Sequence, residues 1–503
     1  MSDLFRKKSI EALLAAADDP ARRLRKTLGP WSLTALGIGA VIGSGIFILT
    51  GTAAAGETLS FDSFLHAPVL DLLMHGREAV STLGRPGAGP AISLSFLLTA
   101  LACAFAALCY AELASMIPVA GSAYTYSYAT LGEIFAWIIG WDLILEYAVS
   151  NMAVAVGFSA YLNDILDSVF GLRLPRQLAG PMIAGGEFTG SWFNLPALVV
   201  LLALTMILVR GVRESAETNN VMVLIKVGAV LLFVFGAARA VDSGHWHPFM
   251  PNGFPGVLTG AAIVFFTYIG FDSVSTAAEE CRNPQRDLPI GILATLLVCT
   301  LLYTAVALVL TGFADWRTLG NAAPVANALK DLGYDNIRRW VSVGAVVGMV
   351  SSLLVFQYGQ ARVWFAMSRD GLLPKAFSRV HPVHRTPHIS TWVAGLAVGL
   401  PAGIWDIGTF ADLSNIGTLF AFVLVSAGVI ILRRRQPERP RGFRVPFSPW
   451  LPGLSIFCCL VLMLGLPLET WLRFVVWLLI GLGIYFAFGR RHSTLGNTPV
   501  SRP

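Results

Sequence analysis

Residues 37 to 47 read Gly-Ile-Gly-Ala-Val-Ile-Gly-Ser-Gly-Ile-Phe, an apolar run carrying four glycines and a serine. A helix interior pays about 1 kcal/mol for each Gly in place of Ala. In hydrocarbon an unsatisfied backbone group costs far more, so irregular backbone survives there only where protein or a cavity surrounds it. The run is therefore predicted to interrupt its helix and to leave amides and carbonyls free as ligands. Interrupted helices near the bilayer midplane are where many secondary transporters hold their substrate.

The rest of the chain agrees with a lipid solvent. Of 503 residues, 55% are hydrophobic and 13% charged, with a mean hydropathy of +0.67, the profile of a polytopic membrane protein. The net charge of +6 does not point to nucleic acid, because the basic residues sit at segment ends and in short loops and form no single patch. The first 30 residues are polar and basic, without the short apolar core of a cleavable signal peptide. The first span is then also the insertion signal. The six cysteines lie in or beside apolar segments and form no Cys-x-x-Cys pair, so neither a structural disulfide nor a zinc site is expected.

Apolar runs of spanning length number twelve, starting near Trp31, Ala91, Ile134, Asn194, Asn220, Pro255, Leu288, Ile337, Ile389, Leu413, Leu451 and Thr470. With the N-terminus inside, 24 Lys and Arg fall in inner segments and 10 in outer ones. That bias places both termini in the cytoplasm. Residues 57–90 form an outer insert, read as a short surface helix within Phe61 to His75 followed by a turn. The inner connection from Glu112 to Glu133 lacks any basic residue and is expected to pack against the body of the protein.

The sixth span is interrupted too: Phe265 to Ser275 reads Phe-Phe-Thr-Tyr-Ile-Gly-Phe-Asp-Ser-Val-Ser. It lies five spans after the first. Since five is odd, a second group of five enters the membrane from the opposite side, the arithmetic of an inverted repeat. Predicted units are a tail (1–30), a first repeat (31–243), a second repeat (255–435), two peripheral helices (451–489) and a tail (490–503).

The first interrupted run resembles the signature of the amino acid–polyamine–organocation superfamily. Phe265 to Glu280, Asn283 to Pro289 (Asn-Pro-Gln-Arg-Asp-Leu-Pro), Tyr358 to Arg362 (Tyr-Gly-Gln-Ala-Arg) and Ser368 to Pro374 (Ser-Arg-Asp-Gly-Leu-Leu-Pro) resemble its cationic amino acid transporter branch, of bacterial type. The resemblance covers roughly residues 25 to 490. It implies an all-α integral membrane fold of twelve transmembrane helices, a five-plus-five inverted repeat with broken helices 1 and 6 and two peripheral helices. The activity it implies is amino acid transport.

A zwitterion asks for one anion site and one cation site. A broken helix supplies both, through free N–H groups with the positive dipole end and through free carbonyls. The substrate carboxylate is assigned to the amides of Ser44 and Gly45 with the Ser44 hydroxyl available, and the ammonium to carbonyls of Val41, Ile42, Phe266 and Ile269. Simple close packing of small residues is the alternative for the glycines. Thr267, Tyr268 and Ile269 suit a small or medium neutral side chain, and Phe266 is a candidate outer gate or a packing residue.

Charged side chains inside the membrane are costly and by default functional. Lys226 stands about two turns into the fifth span, deeper than a snorkelling anchor needs. In sodium-coupled relatives of the implied fold a cation sits between helices 1, 5 and 8. A lysine ammonium in that place would hydrogen-bond helix 1 carbonyls and, losing its proton on the inside, free the inner half of that helix. A static substitute for an ion and a snorkelling residue are the alternatives. Asp142 and Glu146 share one face of helix 3; Glu146 is a candidate proton relay or a partner of Arg362. Asp272 is a candidate cap of the second half-helix or a contact for a cationic substrate side chain.

The His245 and His247 pair and the His381, His384, His388 cluster lack Cys or carboxylate partners at ligand spacing and are read as solvated loop residues. No phosphate-loop pattern is present. Arg433 to Arg435 reads as a positive-inside stop. The chain is thus expected to be no enzyme, to use no cofactor or metal, and to import L-amino acids through the cell (inner) membrane with proton coupling. Its partners would be an L-amino acid, a proton and the lipid bilayer, with no disulfide-linked subunit. An exchanger, a cationic amino acid transporter and, of another class, an amino-acid-sensing receptor stay open.

Overall fold

The computed structural model describes residues 5–17, 26, 28–57, 64–76, 84–119, 121–184, 186–210, 216–384 and 386–497. Its helices are α1 (Ile10–Ala17), α2 (Pro30–Val41), α3 (Ser44–Ala55), α4 (Val69–His75), α5 (Ile92–Met116), α6 (Ser122–Thr130), α7 (Glu133–Phe170), α8 (Leu195–Arg210) and α9 (Ala216–Ala237). They continue with α10 (Gly253–Val264), α11 (Pro284–Phe313), α12 (Pro324–Asp331), α13 (Asp335–Arg369), α14 (His388–Ala402), α15 (Ile407–Arg435), α16 (Trp450–Leu464) and α17 (Leu468–Ile484). Two antiparallel strand pairs, β1 (Gly56–Glu57) with β2 (Arg85–Pro86) and β3 (Ile183–Ala184) with β4 (Glu187–Phe188), lie in connections.

Among the described residues eight helical segments are long and apolar enough to cross a membrane, and α2 with α3, bent by 49°, makes a ninth if the pair is one span. This is a multi-pass membrane protein. The three other runs expected to span are shorter than predicted: α8 has 16 residues, α14 has 15 and α16 has 15. At about 1.5 Å per residue such helices reach roughly 24 Å, short of a hydrocarbon core of about 30 Å. Pro401 and Gly403 close α14, and Gly465 closes α16.

Local chemistry explains several boundaries. Pro30 opens α2 at a position where its missing N–H has no partner to lose. Asp406 caps α15 by accepting the amide of Gly408 at 3.2 Å, and burial pushes this carboxyl above the ordinary carboxylate range. Small residues bring the long helices together: Gly359 of α13 packs on the Tyr147 ring of α7, and Gly344 of α13 on Ala229 of α9. Without a hydrophobic drive between helices in lipid, such close contact supplies the attraction.

Several acidic and basic side chains that close the connections are buried, among them Arg85, Glu112 and Asp412. The inner connection folds as α6, whose nine residues are all buried, in line with its lack of charge. The 436–449 loop is held to the end of α5 by Glu112, which takes Arg433, Arg441 at 3.1 Å and the amide of Val445 at 2.7 Å. In the insert, a short 3₁₀ turn (Phe64–His66) precedes α4, residues 61–63 lying outside the described residues, and the expected turn region carries β2 followed by a 3₁₀ turn (Gly89–Ala91). There the buried Arg85 makes two bidentate contacts, with Glu57 at 2.8 and 2.8 Å and with Asp412 at 2.9 and 2.7 Å. Those four charge-assisted bonds join the end of α3 to α15. The insert is also paired to the α16–α17 turn, Val69 N to Leu466 O at 3.1 Å and Leu468 N to Ala67 O at 3.1 Å.

Candidate functional site

The first interrupted helix parts where the glycines predict. α2 ends at Val41, Ile42 is extended (φ −78°, ψ 90°), Gly43 is the turning residue (φ −119°, ψ −139°) and α3 begins at Ser44. In the second, α10 gives way to a 3₁₀ turn (Phe265–Tyr268), an extended Ile269, Gly270 at φ +118° and a ten-residue 3₁₀ segment (Phe271–Glu280). Runs of 3₁₀ helix beyond three or four residues are uncommon and mark hinges or strain. Gly270 adopts a backbone region that other residues rarely enter.

The two breaks lie against each other. A Cβ on Gly45 would stand 2.8 Å from Thr267 Cγ2 and 3.1 Å from its Cα, and one on Gly270 would stand 3.1 Å from Ala40 Cβ. Only glycine allows both approaches. Tyr303 of α11 binds the pair from behind: its Oη is 3.0 Å from Val41 O and 2.9 Å from Thr267 O. One phenolic proton serves two carbonyls on two different helices.

The anion end of the site is open in character. Ser44 and Gly45 are the first two residues of α3, whose leading amides have no partner within the helix, and the buried Ser44 Oγ has no hydrogen-bond partner among the described residues. Together they offer donors at a positive helix end.

The carbonyls are distributed differently from the sequence expectation. Val41 O accepts Gly43 N at 3.0 Å besides Tyr303. Ile42 O accepts Lys226 Nζ at 3.0 Å and Ser352 Oγ at 3.3 Å. Phe266 O accepts Ile269 N at 3.2 Å, whereas Ile269 O takes no hydrogen bond among the described residues. Tyr268 is fully buried, its hydroxyl donated to Phe96 O at 3.1 Å, and Thr267 Oγ1 bonds Val264 O at 2.6 Å. Phe266 is buried as well.

Lys226 is fully buried on α9, and its Nζ donates to Gly39 O at 2.6 Å as well as to Ile42 O. Ser352 of α13 reaches the same two carbonyls, each at 3.3 Å, and Gly348 packs on the lysine stem. The ammonium therefore sits where α2, α9 and α13 meet, on carbonyls released by the break.

The carboxylates gather with no cation beside them among the described residues. Glu146, Asp142 and Asp272 are buried; Glu146 lies beside Thr418 and within electrostatic range of both aspartates. Among the described residues neither oxygen of Asp142 has a hydrogen-bond partner, and the group packs against Gly417. The pairing of Arg362 with Glu146 does not occur in this structure. Arg362 instead stacks on Tyr358 at 3.9 Å, with Glu280 and Glu279 as its acidic neighbours. Asp272 lies in the first turn beyond Gly270, close to its own backbone amide and those of Gly270 and Ser273. His381 stacks on His384 and meets His388 edge-on, and among the described residues no group of three ligands suits a metal ion.

Residues 28–484 match the family model for amino acid permeases. The chain belongs to the amino acid permease family. Over 98% of its length this permease is 48% identical to a branched-chain amino acid permease of Bacillus subtilis, covering 99% of that protein. It is 47% identical to a methylthioribose transporter of the same organism, covering 98% of the chain and all of that protein. A chloroplastic cationic amino acid transporter of Arabidopsis thaliana is 37% identical over 92% of the chain and 76% of its own length. The permease is a transporter and not an enzyme. Tyr303 and Ser352 escaped the sequence reading because a tyrosine or serine within an apolar run carries no local mark of the carbonyl it meets.

Proposed function

We propose that this permease is a proton-coupled secondary importer of neutral L-amino acids, with branched-chain side chains first. Its twelve helical segments would form two inverted repeats of five (31–243 and 255–435) and two peripheral helices, in the cell (inner) membrane of a bacterium with both termini cytoplasmic. The substrate carboxylate binds the amides of Ser44 and Gly45 with the Ser44 hydroxyl. The ammonium binds Ile269 O beside Phe266, since Tyr303 and Lys226 already occupy Val41 and Ile42; those two carbonyls join only when their donors withdraw. Thr267 and Phe266 flank the side chain, with Tyr268 as packing behind them.

The observation that carries this reading is Lys226, whose buried ammonium donates to two carbonyls of the break at 2.6 and 3.0 Å. Charged, it ties α2 to α9; neutral, it has fewer protons to donate and α2 is freer to swing. Glu146, close to Asp142 and Asp272, is the proposed group that hands the proton on. The branched-chain preference draws on the relative of that name at 48% identity.

Uptake of radiolabelled leucine into proteoliposomes, with and without an imposed inward proton gradient, tests the reading. Gradient-driven uptake is expected, and uptake that ignores the gradient or follows sodium sinks the coupling role. A second cargo has a specific basis, because the relative named for methylthioribose, a sugar and not an amino acid, is as similar at 47%. Competition separates the two: inhibition of leucine uptake by isoleucine and valine, and not by methylthioribose or arginine, is the expected pattern.

A further inference from the structure

The connection between α7 and α8 lies on the face opposite the described tail residues, since Glu133 at the other end of α7 accepts Ser493 Oγ at 2.7 Å. A connection bathed in water is expected to show polar side chains. Here Phe188 is 78% exposed, Trp192 73%, Phe170 64% and Leu172 60%. Single exposed apolar residues are ordinary, but several large ones on one short connection mark contact with something apolar.

Two short helices meet this connection. α8 begins three residues after Trp192, and beyond the end of α14 Gly403 O accepts Asn194 N at 2.9 Å while Ile404 O accepts Ile183 N at 2.8 Å. The two helices pack side by side, Gly395 on Thr205 and Gly399 on Leu198. With 16 and 15 residues they fall roughly 6 Å short of a hydrocarbon core of about 30 Å. Their other ends carry Arg210 and His388 and are tied by Thr386 Oγ1 to Val209 O at 2.7 Å, so the polar boundary there is fixed. The missing thickness therefore falls at the end where the β3–β4 hairpin sits.

The exposed side chains of the hairpin continue those of the helices. After Trp192 come Leu195, Val199 and Met206 along α8, and on α14 Leu396 and Leu400 lead to Trp405, which bridges to Ile183. An irregular segment can lie against lipid only if its backbone groups are satisfied. Thr189 N donates to Met182 O at 3.0 Å, and the amides of Trp192 and Phe193 donate to Gln177 O at 2.8 and 3.2 Å.

We propose that the β3–β4 hairpin and its flanks lie in the headgroup boundary of the bilayer and complete the apolar band that α8 and α14 leave short. The partner is the lipid surface itself. Trp192 is of the residue type enriched at that level, and the exposed Arg176 of the same connection suits lipid phosphates. A second copy of the chain or a soluble subunit would cover the patch too, but neither accounts for its continuity with two lipid-facing strips at the ends of two short helices.

Two measurements on the full chain in proteoliposomes test this, and neither depends on the cargo. A nitroxide is attached to Phe188→Cys or Trp192→Cys, with Cys458, the cysteine that is not buried, replaced by Ala. Its collisions with oxygen, which concentrates in lipid, are compared with those of a water-soluble nickel complex. Val199→Cys on α8 is the lipid reference and Lys330→Cys, exposed on α12, the aqueous one. The oxygen-to-nickel ratio at 188 and 192 is expected to exceed that at 330 at least fivefold. A ratio equal to that at 330, or few collisions with either reagent as under a protein cover, overturns the proposal. In the second, the emission lost in Trp192→Phe isolates Trp192. Lipids brominated near the headgroup are expected to quench it at least twice as strongly as lipids brominated deep in the chain, and the absence of quenching by either overturns the proposal.

Discussion

Gly270 stands against Ala40: a Cβ added to the glycine would lie 3.1 Å from the Ala40 Cβ and 3.3 Å from the amide nitrogen of Val41. The bend of one interrupted helix is packed onto the last turn of the other, so neither break can be altered without disturbing its counterpart.

Gly270→Ala meets both this contact and a backbone at φ +118°, a region that costs a non-glycine residue about 1–3 kcal/mol. A lower thermal midpoint in detergent and at least tenfold less uptake are expected. Gly228→Ala is the control, since its added Cβ meets nothing within 4 Å and Ala is the better helix former. Equal behaviour of the two variants would refute the packing argument.

At Gly45 the obstacle is Thr267, with Cγ2 at 2.8 Å and Cα at 3.1 Å from an added Cβ. Gly45→Ala should abolish uptake. Thr267→Ser removes the nearer atom and leaves the backbone contact, so the double variant should recover part of the lost activity. A double variant no better than Gly45→Ala would place the defect elsewhere.

Lys226→Met keeps the apolar stem and removes the donors, leaving Gly39 O and Ile42 O to Ser352 alone. Leucine binding should persist while gradient-driven uptake falls at least tenfold and loses its pH dependence. Retained gradient-driven uptake would show the ammonium to be a static tie.

Arg85 is buried and pairs with both the buried Asp412 and the part-exposed Glu57. Removing one partner of a buried ion pair costs about 3–5 kcal/mol because the other charge is left without compensation. Arg85→Ala should therefore lower the thermal midpoint strongly, and Arg85→Lys should not restore it, since an ammonium cannot make two bidentate contacts. Recovery by lysine would mean that charge alone matters.

His66, 3.1 Å from Glu469, is held below the ordinary imidazole pKa, by burial first and then by Arg473 and Arg85 against the opposing pull of Glu57. A lowered folded value means that the unfolded segment binds the proton more tightly. The stabilisation is full above the unfolded pKa of about 6.5 and declines as pH falls through it. Hydrogen exchange in residues 67–76, corrected for intrinsic rates, should be faster at pH 5.5 than at pH 7.5, and His66→Asn should remove the difference.

Several features were legible in the sequence because they depend on local composition. The parting of the first helix at Ile42 and Gly43, the bend at Gly270, the burial of Lys226 and the packing of the uncharged inner connection all follow from glycine content, hydropathy or missing charge. The shortness of α8, α14 and α16 was less legible, since an apolar run does not state where its helix ends. The fate of Arg362 was not legible at all. An α7 carboxylate was as plausible a neighbour as any other, and only the tertiary structure sets Arg362 on Tyr358 with Glu280 and Glu279 as its acidic neighbours.

The sequence by itself determined where the long apolar helices lie and where two of them come apart, because hydropathy and glycine act within a few residues. Only the tertiary structure decided which donor meets which released carbonyl. Lys226 and Gly39 are 187 positions apart, and Tyr303 and Val41 are 262 apart. Partners at that range are chosen by the packing of whole helices, through the small residues that let backbones approach, and the same packing leaves Ile269 O open while it closes Val41 and Ile42.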